Sequence, residues 1–135
     1  MKKKRLLYLI LPILTLLFEI LPWGAVCNFA NPEGEPLRMT YSYFSLTPFG
    51  YANFAPFLTA LSTCVLLFIL IFCCFAEKEM PLKAARITSG VTLALSLCPF
   101  LYGLSYYSVL GGLITFSLAA ELLWLCLTRE KEASL

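Results

Sequence analysis

The sequence predicts an all-α integral membrane protein, a four-transmembrane-helix bundle with a short extracytoplasmic β-hairpin between helices 1 and 2. Three observations predict it. The 135 residues are 60% hydrophobic and only 13% charged, against about 45–50% apolar and about 25% charged in soluble domains. The apolar residues gather into four runs long enough to be spans. Between the first two runs lies a segment with the period-two pattern of a strand. Mean hydropathy is +0.83, so lipid, not a single soluble core, is the expected solvent. The chain reads as one membrane domain over residues 1–135, with spans at about 6–23, 54–75, 84–102 and 109–127 and an outer loop at 24–53.

Taken in order, Lys2, Lys3, Lys4 and Arg5 precede the run from Leu6 to Trp23. Basic residues before an apolar stretch also open a secretory signal, but a cleavable core is about 7–15 residues long and ends at a small-residue site. This run is longer, and Val26 precedes Cys27; an uncleaved span is expected. In the loop, "NPEGEP" is dense in turn formers. "LRMTYSYF" then alternates, with Met39, Tyr41 and Tyr43 on one side and Arg38, Thr40 and Ser42 on the other, so it should pair with "AVCNF" as a hairpin. Thr47 followed by Pro48 marks a helix start. Pro56 falls in the first turn of the second span, where its missing N–H is tolerated. A short charged loop, a tight uncharged turn ("GLSYYS") and a polar tail ("TREKEASL") complete the connections.

Lys/Arg bias gives the orientation. With the N-terminus inside, nine of the ten basic residues are cytoplasmic and Arg38 alone is outside. Both termini are then cytoplasmic, and the economy of the chain suggests a bacterial plasma membrane. Thirteen of the twenty aromatic residues lie in or beside the outer segments. That exceeds an interfacial belt, so the outer loop is expected to pack as a lid, and its aromatic residues Trp23, Tyr41, Tyr43 and Phe44 are the expected contact surface for a partner.

Small residues let helices approach closely in lipid. Gly90, Ala94 and Cys98 recur every four residues on the third span, and Gly111, Thr115 and Ala119 on the fourth. These stripes are expected to face each other, or to serve a homo-oligomer.

Two carboxylates fall inside spans. Tyr8, Pro12, Thr15 and Glu19 share one helix face. Glu19 lies about 21 Å above Arg5 at 1.5 Å per residue, and Glu121 about 12 Å from Arg129, which sets them about 9 Å apart in depth. Intramembrane acids face protein, pair, or mark a pathway. Read as structural locks, Glu19 would pair with Arg38 or loop amides, and Glu121, which shares a face with Ser117, would pair with Arg86 or accept a hydroxyl from the neighbouring helix. Read as a path, Glu19, Thr15, Ser117 and Glu121 would pass protons or a cation. The lock is the favoured reading.

Composition excludes much chemistry. The chain has no His, and all eight acidic residues are Glu, which removes Ser-His-Asp and Cys-His catalysis, His-based zinc sites and Asp-dependent phosphoryl transfer. Six cysteines form no C-x-x-C pair and read as small hydrophobes. Cys73, Cys74 and Cys126 near one membrane face could alternatively be acylated or hold a soft metal, although no fourth ligand is visible. Neither catalysis, cofactor nor metal is expected, and a net charge of +2 without a basic patch argues against nucleic acid.

The layout resembles the claudins in topology alone. The claudin first-loop motif, a Trp followed by two cysteines, has no counterpart, since Trp23 stands at the loop's edge and Cys27 is single. Small multidrug transporters share a first-span Glu but are nearly loopless and hold it near mid-membrane. The role expected is that of a non-catalytic subunit or interaction module with a membrane-protein or self partner; the alternative is a small proton-linked permease using Glu19 and Glu121.

Overall fold

The computed structural model describes residues 6–35, 37–46, 54–75, 82–103 and 107–133. The first helix opens with a 3-10 turn at Leu7–Leu9 and continues as α1, Ile10–Ile20. It ends because Leu21 precedes Pro22, whose ring pushes the preceding residue into extended backbone; Leu21 has φ −64° and ψ 140°. The apolar helix Leu7–Ile20 therefore rises only about 22 Å, short of the roughly 30 Å hydrocarbon layer. The helix is thus shorter than the expected span at 6–23. Among the described residues three helices are long and apolar enough to cross a membrane: Ala55–Phe75, Lys83–Leu101 and Val109–Thr128.

Beyond α1 the chain forms the hairpin. β1 (Ala25–Phe29) pairs antiparallel with β2 (Leu37–Tyr41), with Ala25 opposite Tyr41 and Phe29 opposite Leu37. Asn31 shapes the connection, its Oδ1 accepting the Glu33 N–H at 3.1 Å. β1 is buried over its first three residues, while β2 is almost wholly exposed. The alternation in β2 does not become alternating burial: Met39 stays exposed, Tyr41 is half-buried and Tyr43, just past the strand, is buried.

α2 (Ala55–Phe75) begins with Pro56 in its first turn. α3 (Leu82–Leu97) gives way to a 3-10 segment, Cys98–Tyr102, at Pro99, which cannot donate the next helical hydrogen bond. α4 (Val109–Ala133) is N-capped by Ser108, whose Oγ accepts the Gly111 N–H at 2.9 Å. It runs six residues past its expected end at 127. The Thr47–Pro48 start, Phe49, Tyr51, Tyr106 and the basic residues Lys2 to Arg5 and Lys78 lie outside the described residues, as do the side chains of Arg129 and Lys131.

The four helices close a ring: α1 packs on α2, α2 on α3, α3 on α4, and α4 returns to α1. Buried positions on each helix recur mainly in steps of three and four. They are Pro12, Thr15 and Glu19 on α1, and Ala55, Pro56, Thr59, Ala60, Thr63, Leu66, Leu70 and Cys73 on α2. On the second hairpin of helices they are Ala85, Ser89, Thr92, Ser96 and Pro99, and Gly111, Ile114, Ser117, Leu118, Glu121 and Leu125. This is close to the spacing of a coiled-coil seam, here carrying seven hydroxyls while Phe68, Phe72 and Phe116 face outward.

The small-residue stripes do not form the α3–α4 contact. Ala94 and Ala119 are exposed, and a Cβ on Gly90 would meet nothing within 4 Å. A strict four-residue repeat drifts around a helix by about 40° per step, away from the seam that Ser89, Thr92 and Ser96 occupy. Gly111 faces the hairpin instead, with Tyr43 Oη 3.2 Å from the place its Cβ would take. Thr115 alone of the two stripes bridges the helices, at 3.2 Å from Ser96 Oγ.

Two glycines thus predict opposite outcomes. In Gly24→Ala the new Cβ would stand 2.8 Å from Tyr43 Cδ1, an overpacked site that should cost about 1–3 kcal/mol. Gly90→Ala fills open space in a helix and should gain about 0.5–1 kcal/mol. Unfolding of the monomer in detergent checks both.

Candidate functional site

Nearest the hairpin, Ala25, Tyr43, Ala60, Ile114 and Leu118 form an apolar cluster. At the other end Leu66, Leu70, Ala85 and Leu125 form a second, flanked by Tyr8, Leu9 and Ile69. Thr15, Glu19, Thr63, Ser89, Thr92, Ser117 and Glu121, all buried, form a polar layer interleaved with these apolar residues along the seams.

Glu19 projects into this layer from the last turn of α1. Its Oε1 lies 2.8 Å from Thr63 Oγ1 on α2, and its Oε2 has no hydrogen-bond partner. The Thr63 hydroxyl also lies 2.9 Å from the Thr59 carbonyl, and Thr59 in turn donates to the Ala55 carbonyl at 2.7 Å. The backbone of Glu19 acts separately, its carbonyl accepting the Tyr43 N–H at 2.9 Å. The expected partner Arg38 is exposed on β2, opposite Asn28. Its guanidinium gains nothing by leaving water for a site roofed by an apolar cluster. So the acid is held by a hydroxyl rather than by a cation, and the lid is tied to Glu19 through the main chain.

Thr15 and Ser117 do meet, Oγ1 to Oγ at 2.7 Å, joining α1 to α4. Each also reaches back to a carbonyl of its own helix, Leu11 and Ile114, at 2.9 Å. Glu121 is buried with Oε1 unpartnered. Arg86 passes it over: its Nε donates to the Leu125 carbonyl at 2.8 Å, one turn away, so the expected Arg86–Glu121 pair is corrected. Ser89 Oγ is a third buried atom without a partner. The α3–α4 bonds at Arg86–Leu125 and Thr115–Ser96 place Ser89 level with Leu122, beside Glu121 along the helix.

Other hydroxyl bridges close the bundle. Ser62 meets Thr92 between α2 and α3. Tyr107 bonds Thr115, and Thr115 bonds Ser96, whose own hydroxyl returns to the Leu93 carbonyl at 2.7 Å. Sequence reasoning missed Thr59, Thr63, Ser62, Ser89, Thr92 and Ser96. The signal was available in the Pro56–Thr59–Thr63 and Ser89–Thr92–Ser96 steps of three and four.

The hairpin residues divide. Trp23 is 61% exposed; Tyr41 and Phe44 are half-buried against the first apolar cluster. Tyr43 is 2% exposed, wedged between Gly24 and Gly111, so it is a core residue and not a free contact. Burial pushes its phenol far above the ordinary range; burial also raises the Cys27 thiol. Chemically, the buried carboxyls of Glu19 and Glu121 are groups that can take up and release a proton.

Thr63→Val should cost about 1–3 kcal/mol, because it strips the last partner from a buried carboxyl; Arg38→Gln should leave the unfolding midpoint where it is. Unfolding in one detergent, with Glu19→Gln completing a double-mutant cycle against Thr63→Val, measures both. No protein-family model matches this chain, and comparison with curated proteins and with solved structures finds no match either.

Proposed function

We propose that this chain is a small non-catalytic multi-pass membrane protein acting as a subunit or interaction module. In this reading α1 crosses with the three longer helices as one four-helix membrane bundle, the hairpin is extracytoplasmic, and both termini are cytoplasmic, in a bacterial plasma membrane. The observation behind it is the outward face of α3. Gly90 has open space beside it and Ala94 is exposed. A stripe of small residues that its own bundle leaves uncovered suits close approach by another transmembrane helix, for which a second copy of this chain is the first occupant to test. Gly90→Leu should leave the monomer folded and abolish association, read as the oligomeric state in nanodiscs and as co-purification of two differently tagged copies. An unchanged assembly would sink this reading.

A second reading, a small proton-linked permease using Glu19 and Glu121, is favoured by one observation: both acids point inward and, among the described residues, neither meets a cation. In proteoliposomes, Glu19→Gln should then abolish pH-driven flux while the bundle stays folded. Flux that survives the substitution would rule it out.

A further inference from the structure

We infer that Glu19 is a proton-binding site read out by the hairpin: the closed bundle holds it as a neutral carboxylic acid, and loss of its proton releases Tyr43 from the end of α1. This goes beyond both readings above and depends on neither.

Hydrogens are the first constraint. Thr63 Oγ1 has two oxygens within reach, Glu19 Oε1 at 2.8 Å and the Thr59 carbonyl at 2.9 Å, and a single hydrogen to give. A mid-helix threonine bonds back to the carbonyl four residues earlier. With that hydrogen on Thr59, the Glu19 contact is satisfied only by a proton on Glu19 itself, donated to Thr63. All hydrogens are then placed. If Glu19 were instead ionised, Thr63 would have to turn to it, and one hydroxyl would be its sole donor, since Oε2 has none. A carboxylate so poorly paired at 0% exposure is strongly unfavourable.

Position adds to this. Glu19 is the penultimate residue of α1, where unpaired carbonyls give the helix end a partial negative charge that repels an anion. Among the described residues no positive group offsets it. The titratable neighbours there are Tyr43 from the hairpin and Cys64 from α2, both within reach of its charge, and Glu121 farther along the α4 seam. All are neutral or acidic.

The readout is built into the same residue. The Glu19 carbonyl takes the Tyr43 N–H, and the Tyr43 ring fills the notch between Gly24 and Gly111. When the carboxyl O–H breaks, the proton passes to water and the Thr63 hydrogen swings from Thr59 to the new carboxylate. The anion then needs more donors than the closed site offers, so the end of α1 moves toward water and the Tyr43 bond opens.

Hydrogen–deuterium exchange of the Tyr43 amide, on the full chain in nanodiscs and corrected for intrinsic exchange, tests this. In the wild type, protection should fall roughly tenfold from acid to alkaline pH, the scale of one net hydrogen bond. Glu19→Gln, a permanent neutral mimic, should hold the low-pH protection throughout. Equal pH dependence in the two, or a flat wild-type profile, overturns the inference. Should Glu19→Gln fail to fold, infrared spectra in a Glu121→Gln background decide. A protonated-carboxyl C=O band that decays in step with Tyr43 protection supports the proposal. Absence of that band while Tyr43 remains protected overturns it.

Discussion

Polar groups surrounded by apolar neighbours must find their partners inside the protein, and this bundle is organised by that rule. Its outer faces are Leu, Ile, Val and Phe, so hydroxyls and acids turn to the seams. Many of the hydroxyls keep a bond to their own helix, four or three residues back, and use the remaining capacity across the interface. Thr15 does so with Ser117, Thr92 with Ser62, and Thr63 with Glu19. Because such bonds need short side chains and close axes, they fix which faces meet more tightly than Leu packing would. The three-and-four spacing common to all four helices is the trace of that requirement in the sequence.

The hairpin is joined to this framework at one junction. Ser108 caps α4 and also donates to the Gly24 carbonyl at 2.6 Å. Gly24 accommodates the Tyr43 ring, and Tyr43 closes on Gly111 and on the backbone of Glu19. Gly24 is required here for clearance, since a methyl group would press on the tyrosine ring, and at Gly111 a methyl group would stand 3.2 Å from the hydroxyls of Tyr43 and Ser108. Through this junction the ends of α1 and α4 and both ends of the hairpin are held together.

Much of this was legible in the sequence. The period-two run in "LRMTYSYF" marked the hairpin, and the Tyr8–Pro12–Thr15–Glu19 face of α1 was visible as a polar stripe. The end of α1 was written in Leu21–Pro22, but hydropathy carried the expected span past it. The stripes of Gly90, Ala94 and Cys98 misled because small residues in lipid favour close packing in general and do not say on which side. The partners of Glu19 and Glu121 were not legible. Opposite charge suggested Arg38 and Arg86, whereas the choice of Thr63 depends on the rotation of α2 about its own axis, which no single helix encodes.

The shortness of α1 bears on how the chain is made. Synthesis delivers α1 before the helices that hold Thr63 and Ser117, the residues that meet its acid and its hydroxyl. A segment of 14 residues, Leu7–Ile20, with a carboxyl in its final turn is a weak insertion signal. On the membrane reading, it can settle only when α2 arrives and is secured only when α4 follows. Although translated before its partners, α1 would thus be the last of the four to reach its place, and the translocon or a waiting chaperone would have to shelter it until then.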